Sequence, residues 1–369
     1  MLKRNIVYGI RLLFRNPGFT ILSMVTLALG IGAVTSQYSV LNGVLFKGLP
    51  FPDNHRLVHV ERINPEQEFF NAEVPVHDFL AWEEQQTVFE NMTPFFTRAT
   101  INITVDGQPI RYSGSFIWDS FEETLGVQPI LGPGLTEADN ASGAPMKVVL
   151  SYAAWKTDFN SDPHVVGKSV IVNGQSGTVA GVMPRGFEFP VAEKVWVPLV
   201  HMVDPATIQM GDDEYSFEII ARLRPERTLE EATREISTIM QRIATEHPET
   251  HEGYTAAEVK PFIEEFTDDF VVEMMWIMLG AVFLVLLIAC SNVANLLLAR
   301  SSLRLKEISI RSALGASRRQ IIIQMLTEST LIAAGGAIGG LVLSLWTVEA
   351  VTAYVRSMPT PPPFWVDFG

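Results

Sequence analysis

The chain has 369 residues, a mean hydropathy of +0.21, only 18% charged residues and a formal net charge of −14. Its single cysteine, Cys290, excludes a disulfide framework within one chain, and its acidic balance argues against nucleic-acid binding, which requires a basic surface. The apolar residues are concentrated in three runs, a distribution typical of membrane spans rather than of a soluble protein.

The amino terminus combines a basic segment with the first apolar run. Residues 1–18 contain bases and no acid, and residues 19–46 contain no charge. As an α-helix this run would be about 42 Å long, against a hydrocarbon core of about 30 Å. A cleaved signal peptide would also begin with bases, but the run is too long for one and follows a Pro17-Gly18 break. We predict a cytoplasmic amphipathic helix at 1–18 and a transmembrane helix at 19–46.

Residues 47–273 form an acidic segment in which strand and helix patterns alternate, which predicts a mixed α/β domain. Strand–helix units occur early and late, and the middle is rich in strands. We therefore expect two subdomains, the first assembled from both ends of the segment. The predicted elements are strands at 55–63, 99–117 and 215–223, hairpin turns at Asp106-Gly107 and Asn173-Gly174, and helices at 76–92 and 229–247, the latter capped by Thr228 and Glu231.

Two further apolar runs, residues 274–299 and 321–348, are each long enough to span a membrane. Between them lies the most basic part of the chain, residues 300–320, which we call the basic loop. The positive-inside rule places the amino terminus and the basic loop in the cytoplasm. The domain at 47–273 and a proline-rich tail at 349–369 then lie outside.

Small residues recur at four-residue spacing within two of the predicted spans, and such spacing lets helix backbones approach closely in lipid. Glycine tolerated as packing filler is an equal alternative at these positions. The candidate packing residues are Ala28, Gly32, Ser36, Gly335, Gly336, Gly339 and Gly340. Glu328, near the start of the third run, is expected to be paired with a neighbouring base.

Signatures of catalysis and metal binding are weak. The stretch DPHVVGKS ends like a phosphate-binding loop, but Asp162 replaces the first glycine and a strand pattern follows where a helix is required. His247 and His251 are four residues apart, but Pro248 ends the helix between them and no third ligand is evident. We read these histidines as a solvated helix end and expect no catalytic residue, metal site or cofactor in this chain.

Three segments resemble the MacB/FtsX-type ABC transporter permeases, in particular the duplicated orphan permeases of acidobacteria. The first segment is NPGFTILSMVTLALGIGA at residues 16–33. The second, residues 148–174, is similar to the MacB-like periplasmic core domain and reads VVLSYAAWKTDFNSDPHVVGKSVIVNG. The third and most specific, residues 292–329, is similar to the FtsX-like permease segment and reads NVANLLLARSSLRLKEISIRSALGASRRQIIIQMLTES.

The resemblance implies that part of the basic loop is a short coupling helix resting on a cytoplasmic ATPase subunit, where ATP would bind. The residues that it would use are Arg304, Glu307, Ile308, Ile310, Arg311, Leu314 and Gly315. A helix over 303–314 would place the three charged residues along one side, beside an apolar stripe. Attraction of the bases to anionic lipid headgroups, at about 1 kcal/mol each, would explain the same pattern without a protein partner.

The family unit has four spans, whereas this sequence shows three, so we expect the chain to stop before a fourth. The expected protein is an ABC permease subunit of a Gram-negative inner membrane, active in export or efflux beside a second permease half or a second copy. A membrane-anchored periplasmic binding or scaffold protein without an ATPase is the alternative. A nucleotide-binding subunit that co-purifies with the chain would distinguish the two.

Overall fold

The computed structural model describes residues 2–66, 72–105, 107–207, 215–251, 253–267, 269–303, 310, 313, 317–358, 362–366 and 368. The chain divides into two compact units. The helical unit comprises Met1–Lys47, Asp269–Met358 and Asp367–Gly369, and the α/β domain comprises Gly48–Asp268 and Pro359–Val366.

The described helices and strands are numbered in chain order. The helices are α1 (Leu2–Arg15), α2 (Pro17–Leu41), α3 (Val76–Gln85), α4 (Phe121–Leu125), α5 (Tyr152–Asp158), α6 (Leu229–Glu246), α7 (Asp269–Leu303) and α8 (Arg318–Arg356). The strands are β1 (Leu57–Ile63), β2 (Val74–Pro75), β3 (Phe89–Val105), β4 (Gln108–Ile117), β5 (Met146–Leu150), β6 (Ser169–Val172), β7 (Gln175–Val182), β8 (Val195–Pro198), β9 (Ser216–Leu223) and β10 (Ala256–Pro261).

Three described helices are long and apolar enough to cross a membrane, as the sequence predicts. They cover Pro17–Phe46, where a π-helical turn extends α2, Phe270–Ser302 and Arg318–Arg356. Each is longer than the apolar run that predicts it, and α8 continues to Arg356 rather than ending at residue 348. The apolar run marks only the part suited to lipid, since helical hydrogen bonding continues past its ends. Pro17 is tolerated at the first position of α2, where its missing N–H has no intrahelical partner.

Within the helical unit, α2 and α8 pack closely along the predicted small residues. A Cβ added at Gly336 would lie 2.6 Å from the Leu27 Cβ, and one at Gly340 would lie 3.0 Å from the carbonyl oxygen of Ala28. In the other direction, a Cβ at Gly32 would lie 3.1 Å from the Gly340 carbonyl oxygen. These separations are too short for a larger side chain, so the two backbones touch where the glycines lie.

The remaining predicted packing residues lie on the same two helices. A Cβ at Gly335 would lie 2.6 Å from the Met24 Cε, and one at Gly339 would lie 3.2 Å from the Ala28 Cβ. The hydroxyl oxygen of Ser36 is buried. One buried side chain from each helix of the unit joins a shared apolar cluster, and these are Leu13, Leu27, Val293 and Ile332.

The α/β domain is built on one ten-stranded sheet. Its order is β10-β1-β9-β3-β4-β8-β5-β7-β6, and β2 pairs with β9. Both predicted hairpins are present. The β3–β4 pair closes from Val105 to Gln108 and the β6–β7 pair from Val172 to Gln175. At the second turn Asn173 and Gly174 both have positive φ, as a two-residue type I′ turn requires, whereas Asp106 of the first turn lies outside the described residues.

One predicted helix is shorter than expected. Residues 76–92 show helical periodicity, but α3 ends at Gln85 and β3 begins at Phe89. The Gln86 side chain accepts a hydrogen bond from the Phe89 N–H at 2.8 Å, and the chain turns into the sheet there. Phe89 and Met92 are buried in the sheet's core, so apolar residues spaced for a helix serve a strand instead. By contrast, α6 begins with the predicted capping box of Thr228 and Glu231.

Replacing Gly336 with leucine tests the α2–α8 contact. Gly336→Leu must displace Leu27, so we expect a loss of about 1–3 kcal/mol and a lower thermal unfolding midpoint of the detergent-purified chain. The matched control is Gly280→Leu in α7, because a Cβ at Gly280 meets nothing within 4 Å. Equal midpoints for the two variants would contradict the contact.

Candidate functional site

One core of the α/β domain contains a group of packed aromatic rings, which we call the aromatic junction. Its members are Phe51, Phe95, Phe121, Phe187, Phe189, Phe262, Phe266, Phe364 and Trp365. Neighbouring rings have centroids 5.0 to 6.5 Å apart, and most pairs are tilted or edge-to-face. Such pairs add about 0.5–1.5 kcal/mol each beyond the area that they bury.

Several members of the junction adjoin the apolar helices in sequence. Phe51 follows the first connection, after the extended α2 ends at Phe46. Phe262 and Phe266 precede the second connection, before α7 begins at Asp269. Phe364 and Trp365 follow the third, after α8 ends at Arg356. All three connections from the apolar helices therefore lead into the same group of rings.

The segment after α8 is held firmly in the domain. The Phe364 N–H donates to the Val191 carbonyl oxygen at 2.7 Å. The Trp365 ring stacks on Phe189 at 5.8 Å, meets Phe266 edge-on at 5.0 Å, and is only 5% exposed. The predicted external tail at 349–369 is thus divided between the end of α8 and a docked segment.

A buried carboxylate, Glu193, shapes the loop that receives this segment. One carboxylate oxygen accepts hydrogen bonds from the Val191 and Ala192 N–H groups at 2.6 and 2.8 Å. The other accepts from the Thr97 hydroxyl at 2.6 Å and the Arg98 N–H at 3.2 Å. With four donors the buried charge is well satisfied, and the loop is fixed against β3.

In the helical unit, an ion pair joins the end of α7 to α8. Arg300, in the last turn of α7, places Nη1 2.7 Å from the Glu328 Oε1. The two side chains are only 11% and 8% exposed, and the guanidinium lies 4.6 Å from the ring centre of Phe19 in α2. The expected pairing of Glu328 with a neighbouring base is confirmed. The pair connects three helices at the first residue of the basic loop.

Most of the predicted coupling residues lie outside the described residues, namely Arg304, Glu307, Ile308, Arg311, Leu314 and Gly315. Ile310 is described, and its helical side chain is 61% exposed. After the loop, α8 begins with a capping box in which the Ser317 hydroxyl and the Gln320 side chain each accept the other's backbone N–H.

Two buried polar clusters of the domain are absent from the sequence-based expectations. In one, Lys260 Nζ lies 2.9 Å from Glu61 and 2.8 Å from Glu265, beside His59. Burial lowers the pKa of His59 to about 4 and raises the pKa of Glu61 to about 7. The antiparallel pairing of β1 with β10 places His59 opposite Lys260. Because β1 and β10 are far apart in sequence, no local sequence pattern predicts this cluster.

The second cluster overturns the reading of His251 as part of a solvated helix end. His251 is 2% exposed, and its Nε2 lies 2.8 Å from Asp78 Oδ1, with His77 beside them. The hydrogen bond with Asp78 raises the pKa of His251. The loop after α6 folds back onto the start of α3, which buries this histidine and leaves His247 at the surface. Asp78, the polar partner of His251, was missed because it lies 173 residues away in sequence.

Replacing Trp365 with alanine tests the docked segment. Trp365→Ala empties a buried site among four phenylalanines, so we expect a loss of about 3–5 kcal/mol and faster proteolysis after residue 358. The control is Trp346→Ala in α8, whose side chain is 71% exposed. An unchanged thermal midpoint and unchanged proteolysis for Trp365→Ala would show that the segment does not dock.

Residues 20–239 match the family described as the MacB-like periplasmic core domain, and residues 279–368 match the FtsX-like permease C-terminal family. A macrolide export ATP-binding/permease protein MacB of Campylobacter jejuni is 25% identical over 60% of this chain and 34% of its own length. A pyoverdine export ATP-binding/permease protein PvdT of Pseudomonas entomophila is 23% identical over 91% of this chain and 50% of its own length.

The chain therefore spans a third to a half of the length of these relatives. Among solved structures, the periplasmic region of MacB from Actinobacillus actinomycetemcomitans has a TM-score of 0.40 and 16% identity, covering 57% of this chain and 91% of that chain. The first family match alone covers more than half of the sequence. On these matches, the chain belongs to the MacB/FtsX-type ABC transporter permeases.

Proposed function

We propose that this chain is the transmembrane permease subunit of an ABC-type export or efflux system in a bacterial inner membrane. A separate cytoplasmic ATPase subunit binds and hydrolyses ATP and docks on the basic loop through the predicted coupling residues. The chain itself transmits motion to its external domain. A second permease half, or a second copy of the chain, completes the membrane part.

The return of the chain into the aromatic junction is the observation that carries this proposal. The chain leaves the domain before α7 and re-enters it after α8, where Trp365 is buried among domain residues. If α7 and α8 each cross the bilayer once, the basic loop between them must lie on the face opposite the domain. This argument from connectivity supports the orientation independently of the positive-inside rule.

The ion pair gives the docking site a mechanical connection. Arg300 precedes the coupling residues directly, and its partner Glu328 lies in α8. A displacement of the loop therefore acts on α7 and α8 together, and a paired helical hairpin transmits it as a rigid-body shift. The opposite ends of these helices continue into the aromatic junction, which supports the domain as the receiver of the motion.

We also propose that the domain works as two subdomains that share the continuous sheet. The core that joins β1, β9 and β10 to α3 and α6 draws on both ends of the segment, as in Val58, Ile236 and Val259. A separate core uses only the middle of the segment, as in Ile101, Val148 and Val182.

The relatives carry the names of different cargoes, macrolide and pyoverdine, at similar identity, so the proposal extends to export but to no particular cargo.

Loss of the charged row of the basic loop tests the docking. In the triple variant Arg304→Ala, Glu307→Ala, Arg311→Ala, we expect the ATPase subunit that co-purifies with the tagged chain from native membranes to fall at least tenfold, with membrane insertion unchanged. The matched control is Arg227→Ala, Glu230→Ala, Arg234→Ala in the domain, which has the same residue types at the same spacing. Retention of the ATPase by the loop variant would favour a scaffold protein without an ATPase.

Cysteine labelling tests the orientation. In a Cys290→Ser background, a membrane-impermeant maleimide should label Gln175→Cys, at the exposed β6–β7 turn, in intact spheroplasts. It should label Ala313→Cys in the basic loop only after the membrane is permeabilised. Labelling of both positions in intact spheroplasts would refute the orientation.

A further inference from the structure

Three buried side chains of the α/β domain converge on one point. His77 and Asp78 lie in the first turn of α3, and His251 lies in the loop after α6. The Nε2 atoms of both histidines approach the same carboxylate oxygen, Asp78 Oδ1, at 3.3 and 2.8 Å. The two imidazole rings are nearly perpendicular, with centroids 5.4 Å apart. One ligand atom from each residue lies within 4.8 Å of the others.

The contacts of His251 are compatible with a proton on Nδ1, which leaves Nε2 to face Asp78. Its Nδ1 lies 3.2 Å from the His247 carbonyl oxygen, which can only accept, and 2.8 Å from the Thr250 hydroxyl. Both contacts are satisfied when Nδ1 is protonated, since the hydroxyl then donates to the same carbonyl. The Nε2 atom lies 2.8 Å from a carboxylate oxygen, so either a proton or a metal ion occupies the space between the two atoms.

We propose that Nε2 of His77, Oδ1 of Asp78 and Nε2 of His251 bind one divalent transition-metal ion, with Zn²⁺ the best match. Two imidazoles and a carboxylate are borderline ligands that suit Zn²⁺ and disfavour Ca²⁺ and Mg²⁺, which prefer oxygen alone. Ligand atoms that already approach one another within a few ångströms need only small shifts to reach Zn–N and Zn–O distances of about 2.0–2.2 Å.

The surroundings of the three residues resemble the supporting partners of a metal site. A ligating histidine commonly donates its other ring N–H to a backbone carbonyl, and the His251 Nδ1 lies 3.2 Å from the His247 carbonyl oxygen. The outer oxygen of Asp78 faces the Arg62 Nη1 at 4.0 Å. Arg62 is itself held by the Glu73 carbonyl oxygen and by the Tyr254 ring, so the inner carboxylate oxygen is aimed at the two imidazoles.

The ion would fasten α3 to the loop that follows α6. The helices α3 and α6 pack in the same core of the domain as β1, β9 and β10. The proposed ligands Asp78 and His251 are 173 residues apart in sequence. A ligand that binds only the folded state stabilises it, so the domain would unfold at a higher temperature with metal than without it. This role is independent of the ATPase and of any cargo.

The test begins with the unaltered chain, purified in detergent and stripped of metal with a chelator. We expect one equivalent of Co²⁺ to bind with the visible absorption of a tetrahedral site, to be displaced by Zn²⁺, and to raise the thermal midpoint. Featureless Co²⁺ spectra and an unshifted midpoint would overturn the proposal and leave a proton as the cation between His251 and Asp78.

Variants then locate the site. Asp78→Asn and His251→Asn should each lose the saturable metal and its midpoint shift, with at least a hundredfold weaker affinity in competition with a chromophoric chelator. His247→Asn, at the surface of the same loop, is the matched control and should keep both. Equal metal binding by all three variants would place the metal elsewhere and refute the assignment of Asp78 and His251 as ligands. If a variant fails to fold, the Co²⁺ spectrum of the unaltered chain still decides the proposal.

Discussion

The burial of aromatic rings at the aromatic junction is the constraint on which the rest of the structure depends. Residues that follow α2, precede α7 and follow α8 are far apart in sequence, yet they share one apolar core. The hydrophobic effect that folds the domain therefore also buries the chain segments that adjoin the three apolar helices in sequence.

The helical unit depends on a different balance of forces, since lipid removes the hydrophobic drive between helices. Close backbone contact replaces it, as at Gly336 and Gly340, where α2 and α8 touch. One ion pair, Arg300 with Glu328, adds a directional connection at one end of the unit. Packing thus aligns α2 and α8 along their length, and the ion pair fixes the axial position of α7 relative to α8.

Local patterns in the sequence predicted the features that are locally determined. Hydropathy gave the three apolar helices, the Asn173-Gly174 dipeptide gave a hairpin, and Thr228 with Glu231 gave the start of α6. Features that depend on distant residues were missed. The docking of Trp365 and the burial of His251 against Asp78 both need tertiary contacts that no local window contains. The early end of α3 has the same origin, because burial in the sheet outweighs helical periodicity at Phe89.

The ion pair between Arg300 and Glu328 also bears on how the chain is made. A lone charge exposed to hydrocarbon costs several kcal/mol, and the pairing removes that exposure for both side chains. The insertion machinery would therefore retain α7 until α8 has emerged, and would release the two into lipid as a hairpin rather than one by one.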